Sequence, residues 1–315
     1  MTTPADRITL RIGHSPDPDD AFMWYPLANR TSPDGTQLTP KIDTGKYDFV
    51  HVLEDIQSLN QRSARRELEI TALSIAQYPY VAGDYALTSC GASMGEGYGP
   101  MVIAREPIHL RDLITPLAAP GKGKGLSLAI PGERTSAWLS LQLRLMEEGG
   151  KPANDLNVNH TMVPFDQIIA RVVAGEFDAG LIIHEGQLTY AESGLHCVED
   201  LGKWWTDTRK LPLPLGGNAI RRDFPPEEQR EICRILLASI RYALDHRDEA
   251  VAYALHYARD MGKDLADRFV GMYVNELTLD YGDRGRDAVR QFLKEAADAK
   301  LIPDPGEIDF VTPAE

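Results

Sequence analysis

The chain has 315 residues, which is long for one compact core and predicts two lobes of roughly 100 to 200 residues each. Its 33 basic residues are outnumbered by 47 acidic ones, and the formal charge of −14 opposes binding to a polyanion. Apolar residues make up 43% of the chain, and no uninterrupted apolar stretch reaches the ~18 residues that a membrane span needs. We therefore expect a globular protein that binds a small molecule, with no nucleic acid and no membrane as a partner. The oligomeric state stays open.

The N-terminal segment and the cysteines set the expected compartment. MTTPADRITLRIGHSP lacks a basic region followed by an apolar segment of about 7 to 15 residues, so no secretory signal is visible and we expect a cytoplasmic protein. Cys90, Cys197 and Cys233 are odd in number, far apart and without CxxC spacing. They encode neither a disulfide framework nor a thiolate metal site, and we expect all three to be small buried side chains.

The first part of the chain predicts strands that alternate with helices. Residues 8–13 form an expected strand that leads through HSPDPDD into a helix over 18–29, with Asp17 as its N-cap residue. Asp19 and Asp20 fall in the first turn, where the helix dipole favours carboxylates. The elements expected next are a surface excursion over 31–48, a helix from 55 to about 66, strands over 69–73 and 85–87, a glycine-rich loop over 91–99, and a strand over 101–104.

The second part continues this alternation. After a flexible insertion over 115–125 and a strand over 126–130, Thr135 and Ser136 begin a helix that stops at Gly149 and Gly150. The elements expected next are a helix over 165–174, a strand that ends at 184, a return segment over 211–222, and helices from about 225 to the C-terminus. Such alternation predicts an α/β fold with parallel strands and right-handed crossovers.

The string GEFDAGLIIHE, residues 175–185, ends a short apolar run on His184. Leu181, Ile182 and Ile183 form the continuous aliphatic run that is typical of a strand covered on both faces. Open α/β sheets bind their ligands at the carboxyl ends of such strands. An imidazole there accepts a proton near neutral pH, because its ordinary pKa is about 6.5. Position alone does not decide between a catalytic and a structural histidine.

Other chemistries lack their motifs. The loop over 91–99 has neither a GK[ST] ending nor G-x-G-x-x-G spacing, and no G-x-S-x-G is present. The eight histidines are scattered without HExxH, so we expect no metal site. The polar side chains that remain follow strand ends or begin helices, and we expect them on one rim of the sheets: His184, Ser74, Thr135, Ser136 and the carboxylates of Asp17, Asp19 and Asp20.

Several strings together resemble one family: GHSPDPDDAFMWYPL, VLEDIQSLN, YGPMVIAREP, PGERTSAW, GEFDAGLIIHE, LGKWWTDTRKLPLPLG and YVNELTLDYG. The chain resembles the 1,4-dihydroxy-6-naphthoate synthase family of the futalosine route to menaquinone. This resemblance implies an α/β fold like that of type II periplasmic binding proteins, with two lobes of mixed, mainly parallel sheets around a central cleft. We expect lobe 1 to comprise 1–104 and 218–315, and lobe 2 to comprise 105–217 and to carry His184.

The resemblance also implies an activity and its residues. The family converts cyclic dehypoxanthine futalosine into 1,4-dihydroxy-6-naphthoate and a three-carbon fragment, as a lyase without a cofactor. Its catalytic base matches His184. The expected substrate-binding residues are the two strand-end residues, the two adjacent hydroxyl residues and the last carboxylate of the acidic turn: Leu73, Ser74, Thr135, Ser136 and Asp20.

The chain departs from the family pattern at two motifs and in the two excursions over 31–48 and 115–125, and it leaves two other functions open. SPDPDD replaces the usual SPCPND, and Ala72 stands where a lysine often precedes Leu-Ser. Added acidic groups repel a substrate that carries a carboxylate. One alternative is a non-catalytic cytoplasmic binding protein of the same fold. The other is a related lyase such as chorismate dehydratase, which is less similar across the WW and LPLPLG strings.

Overall fold

The computed structural model describes residues 7–31, 35–114, 125–152, 155–183, 185–257 and 262–314. The predicted insertion over 115–125, except for its last residue, and the predicted base His184 lie outside the described residues. The strands are β1 (Ile8–His14), β2 (Tyr47–Leu53), β3 (Ile70–Ser74), β4 (Tyr85–Thr88), β5 (Ser93–Gly95), β6 (Met101–Ala104), β7 (Leu128–Ile130), β8 (His160–Met162), β9 (Ala179–Ile182), β10 (His196–Asp200), β11 (Leu213–Arg221) and β12 (Phe310–Val311). The α-helices are α1 (Pro18–Trp24), α2 (Ile56–Ala64), α3 (Tyr78–Val81), α4 (Ser136–Gly149), α5 (Ile168–Val173), α6 (Gly186–Thr189), α7 (Leu201–Arg209), α8 (Pro226–Asp245), α9 (Arg247–Ala254), α10 (Lys263–Tyr273), α11 (Glu276–Leu279) and α12 (Gly282–Asp298).

The chain forms two compact units, each with its own sheet. Unit 1 comprises Met1–Met94, Gly216–Arg286 and Gly306–Glu315, and unit 2 comprises Gly95–Leu215 and Asp287–Pro305. Both sheets are mixed and are flanked by helices, as expected for the α/β class.

The predicted lobe boundaries differ from these units in two places. Strand β6 lies in the sheet of unit 2, where it pairs with β9 and β10, whereas the prediction placed it in lobe 1. The later part of α12 also belongs to unit 2. Its Phe292 packs edge-on against Trp205, and its Glu295 forms an ion pair with Arg209. An amphipathic C-terminal helix in sequence does not reveal which of two units it covers.

The sheet of unit 1 has the strand order β12-β4-β11-β3-β1-β2, with β5 also paired to β11. Strands β1, β2 and β3 run parallel, so their carboxyl ends share one edge. One face of β1 and β2 carries the core side chains Leu10, Ile12, Tyr47 and Phe49. The helices α1 and α8 contribute further side chains to that core.

The sheet of unit 2 has the order β10-β6-β9-β7-β8. Strands β7, β8 and β9 are parallel, and Leu128 pairs in register with both His160 and Ala179. The core of this unit includes Ala129 and Ile182 from neighbouring strands. The segments that follow β7 and β9 therefore leave the sheet at the same edge, side by side.

Several expectations from the sequence were wrong. Strand β2 begins inside the predicted surface excursion, because the buried Tyr47 and Phe49 alternate with more exposed neighbours. The chain is not helical to its end, because β12 pairs with β4. Cys90 and Cys233 are buried as predicted, but Cys197 is exposed because it lies on the edge strand β10. Within the described ranges, no helix is long and apolar enough to cross a membrane.

Candidate functional site

The predicted site residues fall on both units. Leu73, Ser74 and Asp20 belong to unit 1, and Thr135 and Ser136 belong to unit 2. Each set follows the carboxyl end of a parallel strand or begins a helix, as the sequence predicts.

Ser74 ends β3 and is fixed by Asn60 of α2. The backbone N–H of Ser74 donates to Asn60 Oδ1 at 2.9 Å, and Asn60 Nδ2 donates to Ser74 Oγ at 3.1 Å. The hydroxyl proton of Ser74 takes part in neither bond, so it remains a donor. Leu73 is fully buried as a whole residue. The sequence did not single out Asn60, although it lies in the quoted string VLEDIQSLN.

Ala72 stands at the position where the family often has a lysine. It is 6% exposed and packs with Leu59 and Leu68 in a small apolar cluster. A methyl group fits such surroundings, whereas an ammonium group would lose its hydration there.

The acidic turn, residues 17–20, is stabilised by the carboxylate of Asp20. Asp17 occupies the N-cap position of α1, as predicted, but its side chain makes no capping hydrogen bond. Asp20 Oδ2 instead accepts the backbone N–H of Ser15 at 2.8 Å, and Ser15 Oγ accepts the backbone N–H of Asp17 at 3.0 Å. Asp20 therefore closes the turn back on the end of β1, and its carboxylate has a structural task before any ligand is considered.

Burial changes the protonation of this turn. Burial raises the pKa of Asp20 to about 7, although its bond from the Ser15 amide works in the opposite direction. The pKa of Asp19 rises well above its ordinary value, first because of burial and then because of the charges of Asp20 and Asp17. A protonated carboxyl group carries no charge and donates a hydrogen bond. The acidic turn thus carries less negative charge near pH 7 than its sequence suggests.

A pair of histidines lies beside this turn. His14 Nδ1 is 2.8 Å from the carbonyl oxygen of Ser15, and His14 Nε2 is 2.8 Å from His51 Nδ1. Since a carbonyl only accepts, His14 Nδ1 donates to it, and the neutral His14 Nε2 accepts the proton of His51 Nδ1. Burial lowers the pKa of His14 well below 6.5 and that of His51 to about 4.

The sequence prediction missed this pair. In the sequence, His14 ends an apolar run just as His184 does, so the signal was present in GHSP. His51 lies in a strand that was not predicted, so the sequence could not identify it as the partner of His14.

In unit 2, both predicted hydroxyl groups donate to backbone carbonyls. Thr135 Oγ1 donates to the carbonyl of Gly132 at 2.8 Å and accepts the N–H of Trp138 at 3.2 Å, which makes it the N-cap of α4. Ser136 Oγ donates to the carbonyl of Leu215 at 2.5 Å. Both residues are 2% exposed. These two hydroxyl groups can accept a hydrogen bond from a ligand, but their protons are already used.

The strand before His184 has the predicted character. Ala179, Gly180, Leu181 and Ile182 of β9 are all buried. The chain then reaches Glu185 and the short helix α6 at the carboxyl edge of the sheet. No statement about the imidazole of His184 follows from the described residues. Among these residues, no group of three His, Cys, Asp or Glu side chains could hold a metal ion.

Comparison with known proteins gives a consistent result over nearly the whole chain. Residues 10–298 match the model of the menaquinone biosynthesis family. The 1,4-dihydroxy-6-naphthoate synthase of Streptomyces coelicolor is 34% identical over 298 residues, which cover 95% of this chain and 96% of that protein. The enzyme of the same name from Thermus thermophilus is 35% identical over 297 residues, which cover 94% and 97%.

Solved structures agree with the fold. A crystal structure of an Archaeoglobus fulgidus protein is 39% identical with a TM-score of 0.79, covering 93% of this chain and 98% of that one. A Candida albicans protein described as having the periplasmic binding protein fold is 12% identical with a TM-score of 0.60, covering 98% and 99%. The expected periplasmic-binding-protein-like fold is thereby confirmed. The family match and the two full-length relatives confirm the resemblance as well, and the chain belongs to the menaquinone biosynthesis family.

Proposed function

We propose that the protein is a carbon–carbon lyase that converts cyclic dehypoxanthine futalosine into 1,4-dihydroxy-6-naphthoate. The observation that carries this proposal is the similarity to two proteins named 1,4-dihydroxy-6-naphthoate synthase, which extends over at least 94% of this chain in both cases. Since neither relative is a fragmentary match, the resemblance is not limited to one shared domain.

His184 is the general base of this proposal. In the sequence it comes soon after β9, a strand that is buried over its whole length, and α/β proteins bind ligands at the carboxyl ends of such strands. A neutral imidazole removes a proton from the bound substrate, and this step starts ring opening and cleavage of the carbon–carbon bond. No cofactor takes part in the proposed reaction.

The other site residues have roles that suit their hydrogen bonds. Ser74 has a hydroxyl proton that its bonds with Asn60 do not use, so it donates to a substrate oxygen. Thr135 and Ser136 accept hydrogen bonds from substrate hydroxyl groups, because their own protons bind backbone carbonyls. Each such bond contributes about 0.5 to 1.5 kcal/mol.

The test is turnover of the cyclic substrate, followed by chromatographic detection of the naphthoate product. We expect His184→Ala to lower kcat by about 10²- to 10⁴-fold while substrate binding persists, because only the proton transfer is removed. His196→Ala is the matched control, since His196 is an exposed histidine of the same unit.

Each outcome identifies one function. Wild-type turnover by His184→Ala would show that another group is the base. Binding of the substrate without product in the wild type would favour the non-catalytic binding protein. Consumption of chorismate with no reaction of the cyclic substrate would favour the related dehydratase.

A further inference from the structure

We infer that Glu185 is a specificity-determining residue that accepts a hydrogen bond from a hydroxyl group of the ligand. This inference rests on the proposed function, which supplies a hydroxyl-bearing substrate. It assigns a task to the residue that follows His184, for which the family resemblance predicts none.

The first observation is an unpaired oxygen. Glu185 Oε2 is buried and has no hydrogen-bond partner, and no other carboxylate among the described residues has such an atom. Other partly buried glutamates of unit 2 are paired: Glu147 accepts from Trp204, and Glu199 binds Arg144. A buried acceptor without a donor destabilises a folded protein, so its retention needs a compensating role.

The second observation is the place of this residue. Glu185 follows β9, and Thr135 and Ser136 follow β7. Because β7 and β9 are adjacent and parallel, both segments leave the sheet of unit 2 at its carboxyl edge. The carboxylate therefore belongs to the same edge as the two predicted substrate-binding hydroxyl residues, within one unit.

The third observation is the hydrogen-bonding capacity of these side chains. A carboxylate only accepts hydrogen bonds. Thr135 Oγ1 and Ser136 Oγ already donate to carbonyl groups, so they also offer a ligand only acceptor capacity. Three acceptor side chains at one edge suit ligand groups that donate, namely hydroxyl groups. A ligand carboxylate would be repelled by Glu185.

The inference therefore orients the proposed substrate on unit 2. The hydroxyl-bearing part, where bonds are broken, meets Glu185, and the carboxylate of the substrate lies elsewhere. Glu185 favours ligands that donate a hydrogen bond from a hydroxyl group. Removal of the Glu185 carboxylate and removal of that ligand hydroxyl group both eliminate the same hydrogen bond.

The experiment compares Glu185→Gln with Glu192→Gln. Glu192 is an exposed glutamate seven residues further along the same segment, so its change is chemically identical and is expected to be silent. Isothermal calorimetry measures the Kd of each variant for cyclic dehypoxanthine futalosine and for analogues in which one hydroxyl is replaced by hydrogen. Product formation by the wild type is followed in parallel.

Glu185→Gln should weaken binding of the cyclic substrate by about 5- to 10-fold, because the glutamine oxygen still accepts the hydrogen bond but without the charge that strengthens it. The KM should rise with little change in kcat, because the bond is present in both the ground state and the transition state. One deoxy analogue should bind the wild type weakly, and Glu185→Gln should weaken its binding less than it weakens binding of the cyclic substrate. The melting temperature of the ligand-free variant should change little, because the substitution keeps the shape of the side chain and breaks no hydrogen bond to Oε2.

The outcomes separate this inference from the proposed function. If the wild type binds the substrate but forms no product, the proposed lyase is wrong, and the affinity ratio of the two variants still decides the role of Glu185. Equal affinities of Glu185→Gln and Glu192→Gln would overturn the role of Glu185 alone. A fall in melting temperature without a change in affinity would make Glu185 structural. A wild type that neither binds nor turns over the substrate refutes both.

Discussion

The carboxyl edges of the two sheets hold polar side chains in different ways. After β1 in unit 1, the side chains are ionisable and mostly buried, and they bind one another or nearby backbone groups: His14 pairs with His51, and Asp20 accepts the Ser15 amide. After β7 in unit 2, Thr135 and Ser136 bind backbone carbonyls and carry no charge. Protonation therefore controls the group after β1, whereas the hydrogen bonds of the two hydroxyl groups after β7 do not depend on protonation.

The same sequence pattern, an apolar strand followed by polar residues, therefore corresponds to two different kinds of site. In both units an apolar strand ends on polar residues, and the pattern predicts a ligand edge in each. In unit 1, burial shifts the pKa values of the polar groups, so the charge of the edge depends on pH. In unit 2, the hydroxyl groups of Thr135 and Ser136 do not titrate near neutral pH, so their hydrogen bonds to carbonyl groups do not depend on pH in this way.

The largest expected effect is a pH dependence of stability that originates in unit 1. The pKa of His51 is lowered to about 4, so between pH 4 and 6.5 the unfolded state binds more protons, and the free energy of unfolding rises with pH. The pKa of Asp20 is raised to about 7, so between pH 4 and 7 the folded state binds more protons, and the free energy of unfolding falls with rising pH. Each contribution is on the order of 3 to 4 kcal/mol, and the two oppose each other.

Single variants should separate the contributions of His51 and Asp20 to the pH dependence of the free energy of unfolding. His51→Gln should leave a protein whose stability falls between pH 4.5 and pH 6.5 relative to the wild type, and Asp20→Asn should give the opposite change. Urea denaturation at three pH values in this range measures both. His196→Gln, at an exposed histidine of unit 2, is the control variant. Identical profiles for all four proteins would contradict the distinction between the two edges.

A smaller effect is expected from the support of Ser74. Asn60→Ala removes the acceptor of the Ser74 amide and the donor to the Ser74 hydroxyl in a buried setting. We expect the free energy of unfolding to fall by about 1 to 3 kcal/mol, because buried polar groups lose their partners. Asn159→Ala in unit 2 is the comparison, since Asn159 is only partly buried and donates one bond to the carbonyl of Gly125. Equal losses of unfolding free energy in Asn60→Ala and Asn159→Ala would show that the deeper burial of Asn60 does not increase its contribution to stability.

Much of this architecture is predictable because it depends on local patterns. The buried runs of β3 and β9, Asp55 as the N-cap of α2 and Thr135 as the N-cap of α4 all follow from neighbouring residues. The helix α4 ends at the predicted place, where Gly150 adopts a φ of +58° that glycine accommodates without strain.

The remainder depends on contacts between distant residues. The partner of His14 is His51, which is 37 residues away, and the support of Ser74 is Asn60 of another element. The pKa shifts of Asp19 and Asp20 result mainly from burial, which no pattern of three carboxylates reveals. The sequence could therefore identify the edge residues but not their charge or their hydrogen-bond direction.

The smallest expected effect concerns the cap of α4. Thr135→Ala removes the acceptor of the Trp138 amide and should lower the free energy of unfolding by about 1 kcal/mol, whereas Thr135→Ser keeps the hydroxyl and should cost less. Turnover of the cyclic substrate is measured on the same samples. If the hydroxyl served mainly the substrate, Thr135→Ala would lose activity at unchanged stability. A stability loss with a small rise in KM is instead what we expect, since a hydroxyl that caps a helix and donates to Gly132 offers a ligand one remaining lone pair.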